Sequence, residues 1–123
     1  MIKLLELWTR RPDMTHEQAV RHWTEVHAPL VKKTFGDKIL KYVTNVGLPL
    51  DTRGWSRNEA PPYDGIAEFW IDMTVEELAQ AIRDTAHILW PDDQAFIGTY
   101  RPMLVEEIVQ KDIIGIKGAA GRS

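Results

Sequence analysis

A histidine suited to proton transfer lies in the segment RHWTEVHAPLV, residues 21–31. On a helix with about 100° between successive residues, His27 falls roughly 40° from Trp23, inside the apolar stripe. An imidazole changes charge near a pKa of about 6.5, so it is the side chain best suited to moving protons at neutral pH. His27 is therefore the leading catalytic candidate. The alternative is a core histidine bonded to a backbone carbonyl.

Pro29 should disturb the helix that carries this histidine. Proline has no N–H to give the carbonyl of Glu25, four residues earlier, and its ring crowds that turn. We therefore expect the helix to kink or loosen where His27 lies.

Two Glu-x-Trp pairs supply further candidates. Glu6 and Trp8 lie in the first predicted strand, and Glu68 and Trp70 lie in the third. Because side chains alternate along a strand, we expect both pairs to share one face of a common sheet. Carboxyl groups among tryptophans can have raised pKa values and act as acid or base. Glu68 is thus a second catalytic candidate and Glu6 a weaker one, with ion pairing at a dimer interface as the alternative.

The chain has five tryptophans, whose flat rings suit an aromatic ligand. We predict that Trp8, Trp23 and Trp70 form walls of a pocket, although aromatic residues at such spacings are most often core. Trp55 lies in the proline-rich and polar segment 49–63, which is long for a passive connection. It is predicted to close over a ligand.

The order of the predicted elements is β-α-β-β-α-(α)-β, which is the ferredoxin-like arrangement. Capping boxes at Thr15-x-x-Gln18 and Thr74-x-x-Glu77 begin the two main helices, the second of them covering 75–89. The carboxylates of Asp92 and Asp93, after Pro91, are expected to cap a short third helix rather than to bind a metal. The predicted strands cover 3–10, 38–48, 63–71 and 101–114.

This arrangement is an α+β fold, a four-stranded antiparallel sheet with its helices on one face. The other face is open, and Leu4, Ile66 and Val105, or their neighbours, must be covered. A second copy of the chain is the economical cover, so we predict a homodimer through the open sheet face.

Composition excludes several classes of function. The chain has 123 residues, a net charge of -3 and no cysteine. The charge gives no electrostatic footprint for nucleic acid or an anionic membrane, and thiolate chemistry is absent. No apolar run approaches the roughly 20 residues of a membrane span, so we expect a cytoplasmic protein. We predict one domain over 1–112 with a tail at 113–123, no metal and no cofactor.

The segment from Trp23 to Val31, W-x-x-x-H-A-P-L-V, resembles the signature of the EthD-type family of dimeric α+β barrel proteins. Y-D-G-I-A-E-F-W at 63–70 and D-D-x-x-F, formed by Asp92, Asp93 and Phe96, resemble later blocks of that family. The resemblance implies a ferredoxin-like monomer that pairs through its sheets, with a cofactor-free pocket beside each sheet.

The resemblance also implies a range of activities. Relatives are similar to small dehydratases, decarboxylases, isomerases and cyclases acting on lactones or aromatic polyketide-like compounds, and some members are auxiliary proteins without a defined reaction. By position, His27 matches the family's helix histidine, a proton-transfer candidate in muconolactone isomerase-like members. Tyr42, on the second strand, can point at the same pocket. A relative's reactive cysteine has no counterpart here.

Together these observations predict a cofactor-free lyase or isomerase, of the dehydratase, cyclase, isomerase or decarboxylase kind. It would act on a small aromatic, lactone or polyketide-like carbonyl compound. His27 would move a proton next to the carbonyl, and Tyr42 would bond the developing enolate oxygen. The alternatives are a non-catalytic auxiliary or ligand-binding dimer with a hydrophobic pocket and, less favoured, a haem-binding dimer that uses His27.

Overall fold

The structure, a computed structural model, describes residues 1–49 and 60–115. The predicted pocket residue Trp55 and most of the predicted tail lie outside this part of the chain. The elements, in chain order, are β1 (Ile2–Arg10), α1 (His16–His22), a π-helical turn (Trp23–His27), α2 (Ala28–Phe35), a short 3-10 turn (Gly36–Lys38), β2 (Ile39–Val46), β3 (Gly65–Ile71), α3 (Val75–Phe96) and β4 (Ile97–Val105).

The four strands form one antiparallel sheet in the order β2-β3-β1-β4, which is the predicted ferredoxin-like α+β fold. Both predicted capping boxes are present. Thr15 exchanges hydrogen bonds with Gln18 at the start of α1, and Thr74 does so with Glu77 at the start of α3. The helices pack on one face of the sheet, and we call the opposite face the open face. No helix in the described ranges is long and apolar enough to cross a membrane.

The prediction of a separate third helix at Pro91 is wrong, because α3 continues through this proline to Phe96. Pro91 removes one backbone hydrogen bond, but the turn that follows it is held in place by tertiary contacts. Phe96 is completely buried, and Asp92 forms hydrogen bonds with His22 of α1 and His27 of the π-helical turn. The last strand begins at Ile97 and ends at Val105 rather than covering 101–114.

The prediction that the two Glu-x-Trp pairs share a face is also wrong. In the register of β1 and β3, Glu6 lies opposite Ala67 and Leu5 lies opposite Glu68. Residues directly opposite each other in an antiparallel pair point to the same face. Glu6 and Trp8 therefore face the helices, and Glu68 and Trp70 belong to the open face. Leu4, which was expected on the open face, lies opposite Phe69 and faces the helices.

An aromatic cluster forms the centre of the core. The ring of Trp8 contacts Trp23 and Phe96 edge-on, each with 5.0 Å between ring centroids. Gly65 lies opposite Trp8, and a Cβ atom at this position would lie 2.6 Å from atoms of both tryptophan rings. The glycine is required here because two indoles occupy the space of its missing side chain.

Candidate active site

His27 is the last residue of the π-helical turn that joins α1 to α2. The N–H of Ala28 bonds the carbonyl of Trp23, five residues earlier, in place of the usual four. Pro29 cannot bond the carbonyl of Glu25, so the wider turn satisfies the geometry that the proline imposes. The helix is therefore loosened beside His27, as Pro29 predicted.

The wide turn brings two histidines to one carboxylate. In a regular α-helix His22 and His27 would point about 140° apart, since they are five residues apart at about 100° each. With the π-helical turn they lie on the same side of the helix, where both form hydrogen bonds with Asp92 of α3. Nδ1 of His27 lies 2.7 Å from Oδ2 of Asp92, and Nε2 of His22 lies 2.9 Å from Oδ1.

Asp92 determines the orientation of the His27 ring. A carboxylate accepts hydrogen bonds, so we assign the imidazole proton of neutral His27 to Nδ1. Nε2 then carries the free lone pair, and it lies 3.4 Å from Oδ1 of Asp93. Phe96 packs against the same ring, with 5.1 Å between centroids. His27 is 6% exposed, and its ring packs against α3 through Asp92 and Phe96.

A cavity of about 140 Å³ opens between the helix-facing side of the sheet and helices α2 and α3. Its titratable groups come from four elements: Glu6 from β1, His27 from the π-helical turn, Asp93 from α3 and Tyr100 from β4. Its walls are apolar and include Leu4, Val31, Phe35, Phe69, Leu78 and Leu89. Trp90, which is 61% exposed, also lines it. The site therefore joins one imidazole, two carboxyl groups and one phenol inside a largely hydrocarbon surface.

The electrostatics of this cavity favour neutral carboxyl groups. Burial raises the pKa of Glu6 to about 7, and the nearby Asp93 carboxylate adds to this shift. The Tyr100 hydroxyl, which donates a hydrogen bond to Glu6, opposes it. Burial also raises the pKa of Asp93, opposed by His27 and reinforced by Asp92. Burial and the Glu6 carboxylate raise the pKa of Tyr100 above its ordinary value. At neutral pH the cavity can thus hold a protonated carboxylic acid, Glu6, beside the His27 imidazole.

Tyr42, the other predicted catalytic residue near His27, faces the helices but does not line the cavity. Its ring stacks on Phe69 at 4.3 Å between centroids, and Phe69 forms the cavity wall. The Tyr42 hydroxyl is buried and has no hydrogen-bond partner within the described part of the chain. Burial, together with the carboxylates of Glu6 and Asp93, raises its pKa. A catalytic role for Tyr42 stays a prediction.

Glu68 lies on the open face, where Lys3 approaches its carboxylate at 3.0 Å and the amide of Asn45 donates to it at 2.8 Å. The Asn45 hydrogen bond and the Lys3 charge hold the pKa of Glu68 below its ordinary value, against the effect of burial. The sheet thus separates Glu68 from His27. This environment corresponds to the ion-pairing alternative, and it does not bring Glu68 to the cavity.

The predicted pocket tryptophans occupy different places. Trp8 and Trp23 are 1% and 2% exposed and form the core behind the cavity without lining it. Trp70 lies on the open face, with the ammonium groups of Lys3 and Lys41 at 4.3 and 4.7 Å from its ring centroid. Trp55 lies outside the described residues. Their predicted roles in substrate binding stay untested. Among the tryptophans in residues 1–49 and 60–115, Trp90 lines the cavity.

Sequence reasoning missed Asp92, Asp93 and Tyr100 as site residues. The signal for Asp92 was the spacing of His22 and His27, five residues apart and just before Pro29. Only a widened turn can direct both histidine side chains toward one acceptor. Tyr100 had no such signal, because its position opposite Trp8 depends on the register of β1 and β4. In residues 1–49 and 60–115, no group of three or more acidic or histidine side chains is arranged to hold a metal ion.

Comparison with known proteins gives one matching family and several similar structures. The family model described as EthD domain matches residues 11–99. The fold is similar to that of an EthD-like protein from Ralstonia eutropha JMP134, with a TM-score of 0.68 and 18% identity, over 89% of this chain and 94% of that one. Among curated proteins, none matches the sequence.

Two further solved structures have the same architecture. An ethyl tert-butyl ether D (EthD) family protein from Bacillus halodurans C-125 gives a TM-score of 0.63 at 24% identity, over 88% of this chain and 99% of that one. A dimeric protein of unknown function with a ferredoxin-like fold from Bacteroides fragilis NCTC 9343 gives 0.52 at 11% identity, over 86% of this chain and 95% of that one. At these identities the likeness shows the fold alone.

Proposed function

The chain belongs to the EthD domain family, and we propose that it is a cofactor-free lyase or isomerase that moves a proton next to the carbonyl group of a small cyclic compound. One observation carries the proposal. His27 lines an apolar cavity while Asp92 holds its Nδ1 at 2.7 Å. A base whose second nitrogen is fixed by a carboxylate has the orientation that general base catalysis requires.

In the proposed step, Nε2 of His27 removes a proton from the carbon beside the carbonyl. The C–H electron pair becomes the C=C bond, the carbonyl π pair moves onto oxygen to give an enolate, and the imidazole becomes an imidazolium. Asp92 stabilises this cation because its carboxylate already accepts the Nδ1–H bond. Return of the proton to another carbon gives isomerisation. Loss of a neighbouring hydroxyl as water, with the same proton, gives dehydration.

The size of the cavity supports a single-ring substrate. Its volume is about 140 Å³, and an apolar cavity of about 150 Å³ accepts one benzene ring. A small aromatic or lactone compound agrees with this volume better than a fused polyketide-like ring system does. The same volume, and the engagement of His27 with Asp92 and Asp93, argue against the haem-binding alternative.

A homodimer through the open face is also proposed. That face carries Leu5, Leu7 and Ile66 beside the half-exposed Met103, an apolar surface that a second copy would cover. The similar protein from Bacteroides fragilis is described as dimeric. Size-exclusion chromatography with light scattering should give twice the chain mass for the natural protein. Ile66→Glu should give the monomer mass, and an unchanged mass would argue against this interface.

The proposed chemistry can be tested without knowing the natural substrate. Enolisation of cyclohexanone in D₂O replaces its α-hydrogens with deuterium, and mass spectrometry measures the rate. We expect the protein to accelerate exchange above the rate in buffer. His27→Gln should abolish the acceleration and retain the folded state by circular dichroism. His87→Gln is the matched control, because His87 is exposed on α3 and does not line the cavity.

The outcomes separate enzyme from binding protein. Exchange that depends on His27 supports the proposal. Exchange that His27→Gln leaves intact contradicts the role of the histidine. Saturable binding of cyclohexanone without any exchange would favour the alternative of a non-catalytic ligand-binding protein, and absence of both would contradict the proposed site.

A further inference from the structure

The cavity contains a second titratable pair that the proton abstraction does not use. Glu6 reaches it from β1, and Tyr100 reaches it from β4, where its backbone lies opposite Trp8. The Tyr100 hydroxyl donates a hydrogen bond to Oε2 of Glu6. This bond fixes the carboxyl group and leaves Oε1 as the oxygen that can carry a proton into the cavity.

We propose that Glu6 is a second catalytic residue, the acid that gives its proton to the substrate carbonyl oxygen while His27 takes the α-proton, and that the substrate is a neutral single-ring carbonyl compound. This inference rests on the proposed function. It adds an acid to the base already described, and it specifies the charge of the ligand.

The step balances without a metal or a co-reactant. Nε2 of His27 takes the α-proton, the C–H electron pair forms the C=C bond, and the carbonyl π pair takes the proton from Oε1 of Glu6. The products are a neutral enol, an imidazolium and a carboxylate. Reprotonation of carbon by the imidazolium and return of the O–H proton to Glu6 restore both residues, so a complete isomerisation consumes nothing else.

The surroundings of Glu6 supply the protonated form that this step needs. The groups that face it are Asp93 from α3, Tyr100 from β4, His27 from the π-helical turn and Tyr42 from β2. Burial raises the pKa of Glu6 to about 7, with the Tyr100 hydrogen bond opposing and the Asp93 carboxylate adding to the shift. An acid with a pKa near the working pH is effective in proton transfer.

The same groups determine which ligands are accepted. Two carboxyl groups line the cavity, and no lysine or arginine lines it among the residues that the structure describes. A substrate carboxylate would lose its hydration there without a lysine or arginine to pair with. A ketone, in contrast, can accept a hydrogen bond from the Glu6 acid and bury its ring against the apolar walls.

The test is the pH dependence of α-hydrogen exchange in cyclohexanone, with four variants. For the natural protein we expect exchange to fall as pH rises through about 7, where Glu6 loses its proton. Glu6→Gln should slow exchange by roughly 10²-fold or more and remove that fall. Tyr100→Phe should move this decrease in exchange rate to higher pH, because the Tyr100 hydrogen bond lowers the pKa of Glu6 and the variant lacks it. Glu76→Gln, at an exposed carboxylate in the first turn of α3, should change nothing.

The fourth variant, His27→Gln, separates the two proposals. If His27→Gln abolishes exchange and Glu6→Gln keeps both the rate and the fall near pH 7, the acid role of Glu6 is wrong and the proposed base stands. If His27→Gln retains exchange, the proposed function itself fails. Ligand charge is tested by calorimetry. Cyclohexanone should bind and cyclohexanecarboxylate should not, and tighter binding of the carboxylate would overturn the assignment of substrate class.

Discussion

Replacement of Glu6 by glutamine should make the protein more stable at alkaline pH and leave it nearly unchanged at acid pH. In the folded state the pKa of Glu6 is raised from its ordinary value of 4.5 to about 7, mainly by burial. The folded state therefore binds this proton more tightly than the unfolded state does. The contribution of Glu6 protonation to the free energy of unfolding is fully present below pH 4.5. It is lost progressively as pH rises to about 7. Glutamine has a similar shape and no charge, so it removes this loss.

The magnitude follows from the two pKa values. A difference between 4.5 and about 7 corresponds to at most roughly 3 kcal/mol, at about 1.4 kcal/mol for each tenfold change in proton affinity. Since the carboxyl group lines a cavity that water can enter, we expect about 2 kcal/mol. The difference between Glu6→Gln and the natural protein in the free energy of unfolding should thus grow by about 2 kcal/mol between pH 4 and pH 8.

The assay is unfolding by urea at the two pH values, with one protein concentration throughout because association affects stability. Glu68→Gln is the matched control with the opposite sign. The pKa of Glu68 is lowered, chiefly by the Asn45 hydrogen bond. The Glu68 carboxylate therefore contributes to the free energy of unfolding above its ordinary pKa, and this contribution is lost as pH falls. Glu68→Gln should thus destabilise the protein at pH 8 and have little effect at low pH. A Glu6→Gln difference that is the same at pH 4 and pH 8 would refute the reasoning about burial of Glu6.

Three further predictions concern the packing and orientation of the site. Gly65→Ala should lower the free energy of unfolding by about 1–3 kcal/mol, since its Cβ would meet two indole rings; Gly115→Ala, with open space around it, should have almost no effect. Phe96→Ala should cost about 3–5 kcal/mol in the same measurement, because the side chain is fully buried behind His27. Asp92→Asn should mix the tautomers of His27 in nitrogen-15 NMR spectra, whereas the natural protein should hold its proton on Nδ1.

The sequence predicts the fold well because its main signals are local. Period-two alternation marks the strands, and the threonine of each capping box marks where α1 and α3 begin. The loosened turn beside His27 was also predictable, since Pro29 removes a specific hydrogen bond of that helix. The prediction that His27 lies on the apolar side of the helix with Trp23 also holds, since both side chains are buried.

What could not be predicted depends on contacts between elements. The placement of Glu6 and Glu68 on opposite faces follows from the register of β1 with β3, and a shift of one residue would reverse it. The continuation of α3 through Pro91 depends on the contacts of Asp92 and Phe96 with His22 and His27. Local propensity favoured a break at the proline, and tertiary packing overrode it.

The central claim is that His27 presents a proton-free Nε2 to a cavity that accepts a neutral six-membered ring. Nitrogen-15 NMR of the histidine side chains at pH 8, recorded with and without cyclohexanone, tests this claim most directly. We predict a His27 ring protonated at Nδ1 alone, whose Nε2 signal moves with saturation as cyclohexanone is added while the signals of exposed His87 stay fixed. A proton on Nε2, or a His27 signal that does not respond while the ligand binds elsewhere, would contradict it.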